Sequence, residues 1–367
     1  MKQKTKKRVL YMIPHTTLVE FECNLLKDLG FEIYLPKSTG KIRSCSINYE
    51  FDKTLSIPKN IIDYSNQWDF FSEEIPSEIF NFANKYFDAV IVPNIYPLAY
   101  SFAKHFQGTF ILRAFGYEKD TTYESTTQNV ERIHGIKKFF KPKEIIYDNE
   151  MTRLLYKKRN KFILGCAYKE IIENETPFFK RHAIYLPLGI GESIWKNEKS
   201  WNGNINKIMF VCPSIHLPYY REIYNLFKQN FSEIPHSIFG AQKKQYEDPN
   251  IIGYLERDDY DTALQNYKVM FYQSQEPRHL HYHPLEAIIF GMPLIYMSGG
   301  ILEKCGGKDQ PGMCNTYKEA KDKITRILNN DTAFINMIKE KQNKILNDFI
   351  YENVKQIWEK NFMPLVK

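Results

Sequence analysis

A short segment in the second half of the chain concentrates side chains that bind anions. Residues 278 to 283 include one arginine and three histidines, and Arg278, His281 and His283 are the candidate ligand-binding residues. A guanidinium donates hydrogen bonds in a planar fork that fits phosphate and carboxylate groups, and an imidazole N–H donates another. These residue types predict a site for a phosphorylated ligand.

The surrounding residues predict a strand, a loop, a helix and a second strand. Apolar runs of strand length occur at 269 to 272, VMFY, and at 293 to 297, PLIYM. Between them a helix should begin near Pro284 and end at Gly291. Ligands bind beyond the carboxyl ends of the strands in an open parallel sheet, so the loop at 278 to 283 should line a pocket.

A second candidate element follows the second of these strands. Ser298, Gly299 and Gly300 form a turn in which two residues lack a Cβ atom, so a ligand can approach the backbone closely. A helix that begins near Ile301 would direct its first N–H groups at an anion. We expect this turn to contribute to the same phosphate site.

Three histidines in one loop also raise the possibility of a metal site. No nearby aspartate or cysteine completes a convincing ligand shell, and the six cysteines show no CxxC pair or metal spacing. We therefore expect no bound metal, no required cofactor, and reduced cysteines in a cytosolic protein.

The length of 367 residues is too great for one ordinary domain. Strand-like apolar runs alternate with helical segments in both halves, which predicts an α/β fold with two doubly wound sheets. We expect a first domain at 1–190, a linker at 191–204, a second domain at 205–345 and a C-terminal helical segment at 346–367. A long helix is predicted from about 331 to 360.

The net charge of +7 is unevenly distributed along the chain. Residues 132 to 161 hold ten basic and three acidic side chains, and KKFFKP at 137 to 142 mixes lysines with phenylalanines. Such a surface could rest on anionic lipid, or it could be a solvated basic face with two buried phenylalanines. No nucleic-acid-binding motif accompanies the charge, and no apolar run is long enough to span a membrane.

The second half resembles the C-terminal domain of GT-B glycosyltransferases, especially the retaining group that includes sucrose and glycogen synthases and many bacterial polysaccharide enzymes. KIMFVCPS, NIIGYLERDDY and PLEAIIFGMPLIYMSGGILE occur in the order found in that group. The resemblance implies two Rossmann-like domains facing across a cleft, with the C-terminal helix crossing back to the first domain. The matching positions are Leu285, Glu286, Ala287, Gly291, Pro293, Gly299, Gly300 and Glu303.

By this resemblance, Glu286 would accept hydrogen bonds from the ribose hydroxyls of a nucleotide. Two departures from the family pattern concern the donor site. The family's first glutamate, eight residues earlier, falls on Arg278, and its Gly-Arg pair after the first strand of this domain reads Cys212-Pro213. Phosphate binding would then depend on Arg278 and the two histidines. His283-Pro284 is also similar to the His-Pro pair of enzymes that use CMP-activated acidic sugars.

Candidates for catalysis in the first half lie where predicted strands end. They are His15 after the first strand, and Arg113, Glu118 and Asp120 at the end of the strand around 109 to 116. His15 could instead cap the following helix, and the two carboxylates could be ordinary loop charges.

The resemblance implies a glycosyltransferase that moves a sugar from a UDP-, GDP- or CMP-activated donor to a glycan or lipid-linked acceptor. The expected setting is the synthesis of bacterial lipopolysaccharide, capsule or another surface polysaccharide, in the cytoplasm or on the cytoplasmic face of the membrane. Retention of anomeric configuration is expected. The alternative is a GT-B relative that transfers nothing, either a nucleotide-sugar epimerase or a degenerate module that binds a glycan or a partner.

Overall fold

The computed structural model describes residues 7–36, 59, 63, 76–117, 121–128 and 150–366. The chain divides into two compact units: unit 1 is Met1–Gly191 with Phe349–Lys367, and unit 2 is Glu192–Asp348. Each unit has a six-stranded sheet whose strand pairs are all parallel among the described residues. The predicted α/β class is confirmed.

Unit 1 alternates strands and helices along the chain. Its strands are β1 (Arg8–Tyr11), β2 (Glu32–Tyr34), β3 (Ala89–Pro93), β4 (Thr109–Ala114), β5 (Phe162–Cys166) and β6 (Ala183–Tyr185), in the spatial order β2-β1-β3-β4-β5-β6. Its helices up to residue 191 are α1 (Thr16–Asp28), α2 (Ser77–Tyr86), α3 (Tyr96–His105), α4 (Tyr123–Gln128), α5 (Glu150–Lys158), α6 (Lys169–Asn174) and α7 (Pro177–His182).

The central strands of unit 1 are apolar runs because helices cover both faces of a parallel sheet. All five residues of β3 are buried, as are all five of β5. The helices contribute one apolar face each, and the buried residues of α2 are Ile79, Phe80, Phe82 and Ala83.

Unit 2 repeats the same plan. Its strands are β7 (Ile205–Val211), β8 (His236–Phe239), β9 (Ile251–Gly253), β10 (Tyr267–Tyr272), β11 (Leu294–Met297) and β12 (Met313–Cys314), in the spatial order β12-β11-β10-β7-β8-β9. Its helices are α8 (Glu192–Trp195), α9 (Pro218–Phe231), α10 (Arg257–Asn266), α11 (His283–Phe290), α12 (Tyr317–Leu328) and α13 (Thr332–Gln342).

The last helix, α14 (Tyr351–Phe362), belongs to unit 1. It buries Val354, Trp358 and Phe362. The indole N–H of Trp358 donates to the Pro187 carbonyl oxygen at 2.9 Å. The chain therefore returns from unit 2 to unit 1, as the fold inferred from the sequence requires.

One helical prediction was wrong, and a second was right only about where the helix begins. The segment predicted as one helix from 331 to 360 contains α13, a 3₁₀ segment at Asn343–Phe349 and then α14. The expected helix near Ile301 leads only into an irregular π-helical turn at Glu303–Gly307, where Cys305 and Gly306 leave helical backbone angles. No helix among the described residues is long and apolar enough to cross a membrane.

Candidate functional site

The strand order of unit 2 reverses direction between β7 and β10. From β7 the chain adds β8 and β9 on one side, and then returns to add β10, β11 and β12 on the other. The carboxyl ends of β7 and β10 flank this topological switch point, where open α/β sheets bind their ligands. The segments that follow these two strands, together with the one after β11, form the candidate site.

The segments after β10 and β11 lie side by side. The Ile301 N–H donates to the Glu276 carbonyl oxygen at 2.9 Å, and the Gln275 side-chain amide donates to the Ser298 carbonyl oxygen at 2.8 Å. A Cβ atom on Gly300 would lie 2.7 Å from the Ser274 carbonyl oxygen. Glycine at 300 is therefore needed for the approach of two protein segments, whereas the sequence suggested an approach by ligand.

The backbone N–H of Gly299 already has a carboxylate partner. Gly299 has a φ of +88°, in the left-handed region that favours glycine. Its N–H donates to Glu303 Oε2 at 2.7 Å. An anion could use this N–H only by displacing Glu303, so the turn at 298–300 is a weaker phosphate site than expected.

The histidines form a cluster around Tyr272 at the end of β10. The Tyr272 hydroxyl lies 3.2 Å from His281 Nδ1, and the ring centroids of His281 and His283 are 5.4 Å apart. Burial and the neighbouring His279 lower the pKa of His283 to about 3, and burial also lowers the pKa of His281. Both rings are therefore neutral near pH 7, and each offers one N–H donor and one lone pair instead of a full positive charge.

Arg278 is the candidate that brings full positive charge to this loop. Its Nη2 atom is buried and has no hydrogen-bond partner. A buried guanidinium nitrogen without a partner is costly, and an anionic ligand would satisfy it. Three other buried polar atoms near the switch point also lack partners: Gln273 Oε1, Glu276 Oε2 and His216 Nδ1.

Glu286 lies in the first turn of α11, and its neighbours explain why this helix forms. Pro284 occupies an early helical position, and Gly291 ends the helix with a φ of +86°. Glu286 is 5% exposed, and its Oε1 atom accepts a hydrogen bond from Arg257 Nη1 at 2.7 Å. Burial raises the pKa of Glu286, and the charge of Arg257 acts against that rise.

Arg257 also pairs with Asp261 one turn further along α10, and Asp261 accepts a hydrogen bond from the Asn197 side chain. Sequence reasoning missed this pairing because Arg257 and Glu286 are 29 residues apart. One sign of the pairing was present in the sequence: the two residues lie in NIIGYLERDDY and PLEAIIF, two elements that occur together in the GT-B group which this chain resembles.

The segment after β7 contains Cys212 and Pro213 and is held by Gln242 from the segment after β8. The Gln242 amide donates to the Cys212 carbonyl oxygen at 2.8 Å, and its oxygen accepts from the Ile215 N–H at 3.0 Å. The first turn of α9 follows and carries Tyr219, whose hydroxyl donates to Glu276 Oε1 at 3.2 Å. Neither Tyr219 nor Glu276 was a candidate from the sequence.

Arg113 occupies a different environment from the predicted loop. It lies within β4 and is 0% exposed. Its Nη2 and Nε atoms donate to Glu22 Oε1 at 2.6 and 3.0 Å, and its Nη1 atom donates to the Gly165 carbonyl oxygen at 2.8 Å. The Tyr11 hydroxyl donates to the other oxygen of Glu22 at 2.8 Å. The structure therefore places Arg113 in a buried network inside unit 1.

Of the remaining first-domain candidates, His15 lies among the described residues. His15 immediately precedes α1 and its side chain does not cap that helix. Burial lowers the pKa of His15. Glu118 and Asp120 lie outside the described residues, as does the basic and aromatic stretch at 137 to 142. Within the described part of the chain, no group of three or more histidine, cysteine or acidic side chains is arranged to hold a metal ion.

Solved structures match this chain over almost its whole length, although no family model matches it and no curated protein matches it in sequence. The Anabaena protein Alr3699/HepE, in complex with UDP-glucose, has 10% identity and a TM-score of 0.57, covering 96% of this chain and 98% of its own. A UDP-forming α,α-trehalose-phosphate synthase from Burkholderia xenovorans has 11% identity and a TM-score of 0.55, covering 99% of both chains. A glycosyltransferase from Rickettsia africae has 12% identity and a TM-score of 0.54, covering 96% of both.

These similarities establish the fold of the chain. The trehalose-phosphate synthase and the Rickettsia glycosyltransferase match from end to end, through both sheets. The chain has the GT-B fold of glycosyltransferases, as the motifs of its second half indicated.

Proposed function

We propose that the protein is a glycosyltransferase that moves a sugar from a nucleotide-activated donor to a glycan acceptor. The observation that carries the proposal is the buried Arg278 Nη2 atom, which has no hydrogen-bond partner and belongs to the loop after β10 at the switch point of unit 2. Sugar nucleotides offer the phosphate groups that such a site needs. The complex of the Anabaena protein with UDP-glucose makes UDP-sugars the first donors to test.

Arg278 would stabilise the charge that develops on the leaving nucleotide phosphate, in a role that metal ions fill in other transferases. The neutral His281 and His283 would add N–H donors without further charge. The turn at Ser298, with Gly299 and Gly300, would line the phosphate end of the pocket, though the Gly299 N–H is engaged by Glu303.

Glu286 would accept hydrogen bonds from the ribose hydroxyls. Arg257 donates to its Oε1 atom, which fixes the carboxylate, and we propose that Oε2 accepts from the ligand. Two vicinal hydroxyls can share one carboxylate, so this arrangement suits a nucleotide. A catalytic group in unit 1 and retention of anomeric configuration stay predictions, and His15 is the described candidate for that group.

The acceptor we propose is a bacterial surface glycan or its lipid-linked precursor, met in the cytoplasm or at the membrane surface. The described part of the basic region supports this choice, because Arg153, Lys157, Arg159 and Lys161 are all exposed on or beside α5. Exposed cations at this density attract anionic lipid headgroups.

The test is a melting-temperature screen of the full chain with UDP, GDP, ADP, dTDP and CMP, followed by product detection with the matching sugar nucleotide. We expect one nucleotide to raise the melting temperature in the wild type and to have little effect on Arg278→Met. No shift with any nucleotide would refute the donor site. A shift without transfer, sugar interconversion or hydrolysis would favour a binding module, and conversion without acceptor would favour an epimerase.

A further inference from the structure

We propose that Asp261 and Asn197 position the carboxylate of Glu286 and thereby give the donor site its preference for ribose over deoxyribose. Both act through Arg257 and not on the ligand, so they are positioning residues. The inference rests on the proposed function, because it concerns how the carboxylate that would bind the ribose hydroxyls is held. Neither residue was a candidate from the sequence.

The Arg257 guanidinium joins two carboxylates that lie on different helices. Its Nη1 atom donates to Glu286 Oε1 in α11 at 2.7 Å, and its Nη2 atom forms an ion pair with Asp261 Oδ1 within α10. The Arg257 side chain is 44% exposed, although Glu286 is buried. A long side chain of this exposure has many rotamers, and a single ion pair holds it poorly. The second carboxylate therefore selects the rotamer in which Nη1 reaches Glu286.

Asp261 is held in turn by the segment between α8 and β7, which belongs to unit 2. The Asn197 side-chain amide donates to Asp261 Oδ2 at 3.1 Å. The two oxygens of this carboxylate thus contact different groups, the Asn197 amide on one side and the Arg257 guanidinium on the other. Fixing Oδ2 directs Oδ1 toward Arg257.

The same segment also fixes α11 through its backbone. The Lys199 N–H donates to the Ile289 carbonyl oxygen at 2.9 Å. The Trp201 N–H donates to the Phe290 carbonyl oxygen, also at 2.9 Å. These carbonyl groups belong to the last turn of α11, where the helix itself supplies no N–H partner. One segment therefore holds both helices that the Arg257 guanidinium joins.

The charges of this cluster suit hydroxyl groups better than a phosphate. Two carboxylates and one guanidinium leave one negative charge, which repels an anion and accepts hydrogen bonds from hydroxyl groups. A carboxylate that is out of place loses hydrogen bonds to the ribose hydroxyls. Misplacing Glu286 should therefore weaken a nucleotide with both hydroxyls more than one that lacks the 2′-hydroxyl.

The experiment measures binding of UDP and 2′-deoxy-UDP by titration calorimetry on the full chain, in wild type, Asp261→Asn and Asn197→Ala. We expect wild type to bind UDP about tenfold more tightly than 2′-deoxy-UDP, because the 2′-hydroxyl adds a hydrogen bond to a charged group. Asp261→Asn should reduce this ratio to about threefold by weakening UDP, and Asn197→Ala should reduce it less. Where GDP, ADP or CMP gives the melting shift instead of UDP, that nucleotide and its 2′-deoxy form are the probes.

The ratio is taken within each protein, which removes any general loss of stability, because both nucleotides bind the same folded fraction. Asp259→Asn is the matched control, because it removes the same charge from an exposed position in the first turn of α10. Its ratio should equal that of wild type.

An unchanged ratio in Asp261→Asn would overturn the inference. Equal weakening of UDP and 2′-deoxy-UDP would also do so, because that is the result of a merely structural role. An equal fall of the ratio in Asp259→Asn would assign the effect to net charge and overturn the inference as well. A wild type that binds nucleotide without preferring ribose would refute the inference and leave the donor site in place. Failure of the wild type to bind any nucleotide would instead refute the proposed function, and the inference with it.

Discussion

Two arginines, one buried in unit 1 and one partly buried in unit 2, differ in how completely the protein satisfies their hydrogen-bond donors. Arg113 in unit 1 donates three hydrogen bonds to Glu22 and the Gly165 carbonyl oxygen. Arg278 in unit 2 has a buried nitrogen with no partner. Both lie at or near the carboxyl ends of parallel strands, where the fold places ligands.

The difference separates a structural charge from one that is available to a ligand. A buried ion pair whose hydrogen bonds are all made stabilises the fold only as a pair, and removing one member leaves an uncompensated charge. A buried donor without a partner, such as Arg278 Nη2, costs stability, and its retention needs another explanation, such as binding. Whether a charged side chain has partners for its hydrogen-bond donors is therefore a better guide to its function than its position in the sheet.

The largest expected effect is on unfolding of the Arg113→Met variant. Its free energy of unfolding should fall by about 3–5 kcal/mol, because Glu22 is left buried without its partner. Urea titration followed by circular dichroism measures this. Arg278→Met is the matched control, and its stability should fall much less, because Arg278 Nη2 makes no internal hydrogen bond.

Two outcomes would break the comparison between these arginines. A stable Arg113→Met variant that no longer binds nucleotide would move Arg113 into the ligand site. A strongly destabilised Arg278→Met variant would show that its guanidinium is satisfied in solution. Replacing Arg113 and Glu22 together by apolar residues should recover much of the lost stability, which tests whether the two act as a pair.

The same comparison shows what sequence could predict. The α/β class and the strand, helix and strand around the candidate site in unit 2 followed from local patterns, because strand-length apolar runs and the glycine at 291 act within a few residues. The environment of Arg113 did not, since its partner Glu22 is 91 positions away in the sequence. Glu276 was overlooked for a similar reason, because Tyr219 lies 57 positions away.

The break between α13 and α14 had no local signal either. Neither glycine nor proline occurs from 331 to 360, so the periodic pattern reads as one helix. In the structure, the side chain of Gln342 is buried and bonds the backbone of Leu294 and Met292, which fixes the end of α13. Contacts between residues far apart in the sequence therefore set the boundary between α13 and α14.

A smaller effect is expected from the pH dependence of stability, and it concerns the neutral histidines beside Arg278. The pKa of His283 is about 3 in the folded chain and 6.5 without the fold. Below pH 6.5 the unfolded state therefore binds a proton that the folded state does not, and the free energy of unfolding falls as pH decreases. Between pH 7.5 and 5.5 this loss should be about 1 kcal/mol greater in wild type than in His283→Gln.

Urea unfolding of both proteins at the two pH values measures that difference. Because the two proteins have the same carboxylates, subtracting the loss in His283→Gln from the loss in wild type removes the contribution of the carboxylates. Equal losses would mean that His283 is protonated in the folded state. The loop would then carry two positive charges at pH 5.5, and Arg278 would no longer be the principal cation of the site.

The smallest predicted effect concerns the exposed lysines and arginines on the surface of unit 1. Unlike the two arginines compared above, these charges face solvent. Lys157 lies exposed at the end of α5, so Lys157→Gln should weaken binding of the protein to vesicles of anionic lipid by about 1 kcal/mol, roughly fivefold. Lys243→Gln, an exposed lysine of unit 2, is the matched control and should change vesicle binding little. Co-sedimentation at low and high salt measures both, and the effect of Lys157 should vanish at high salt because exposed charges are screened. Equal losses of vesicle binding in the two variants would indicate attraction by net charge alone. The surface around α5 would then not be a preferred membrane-binding face.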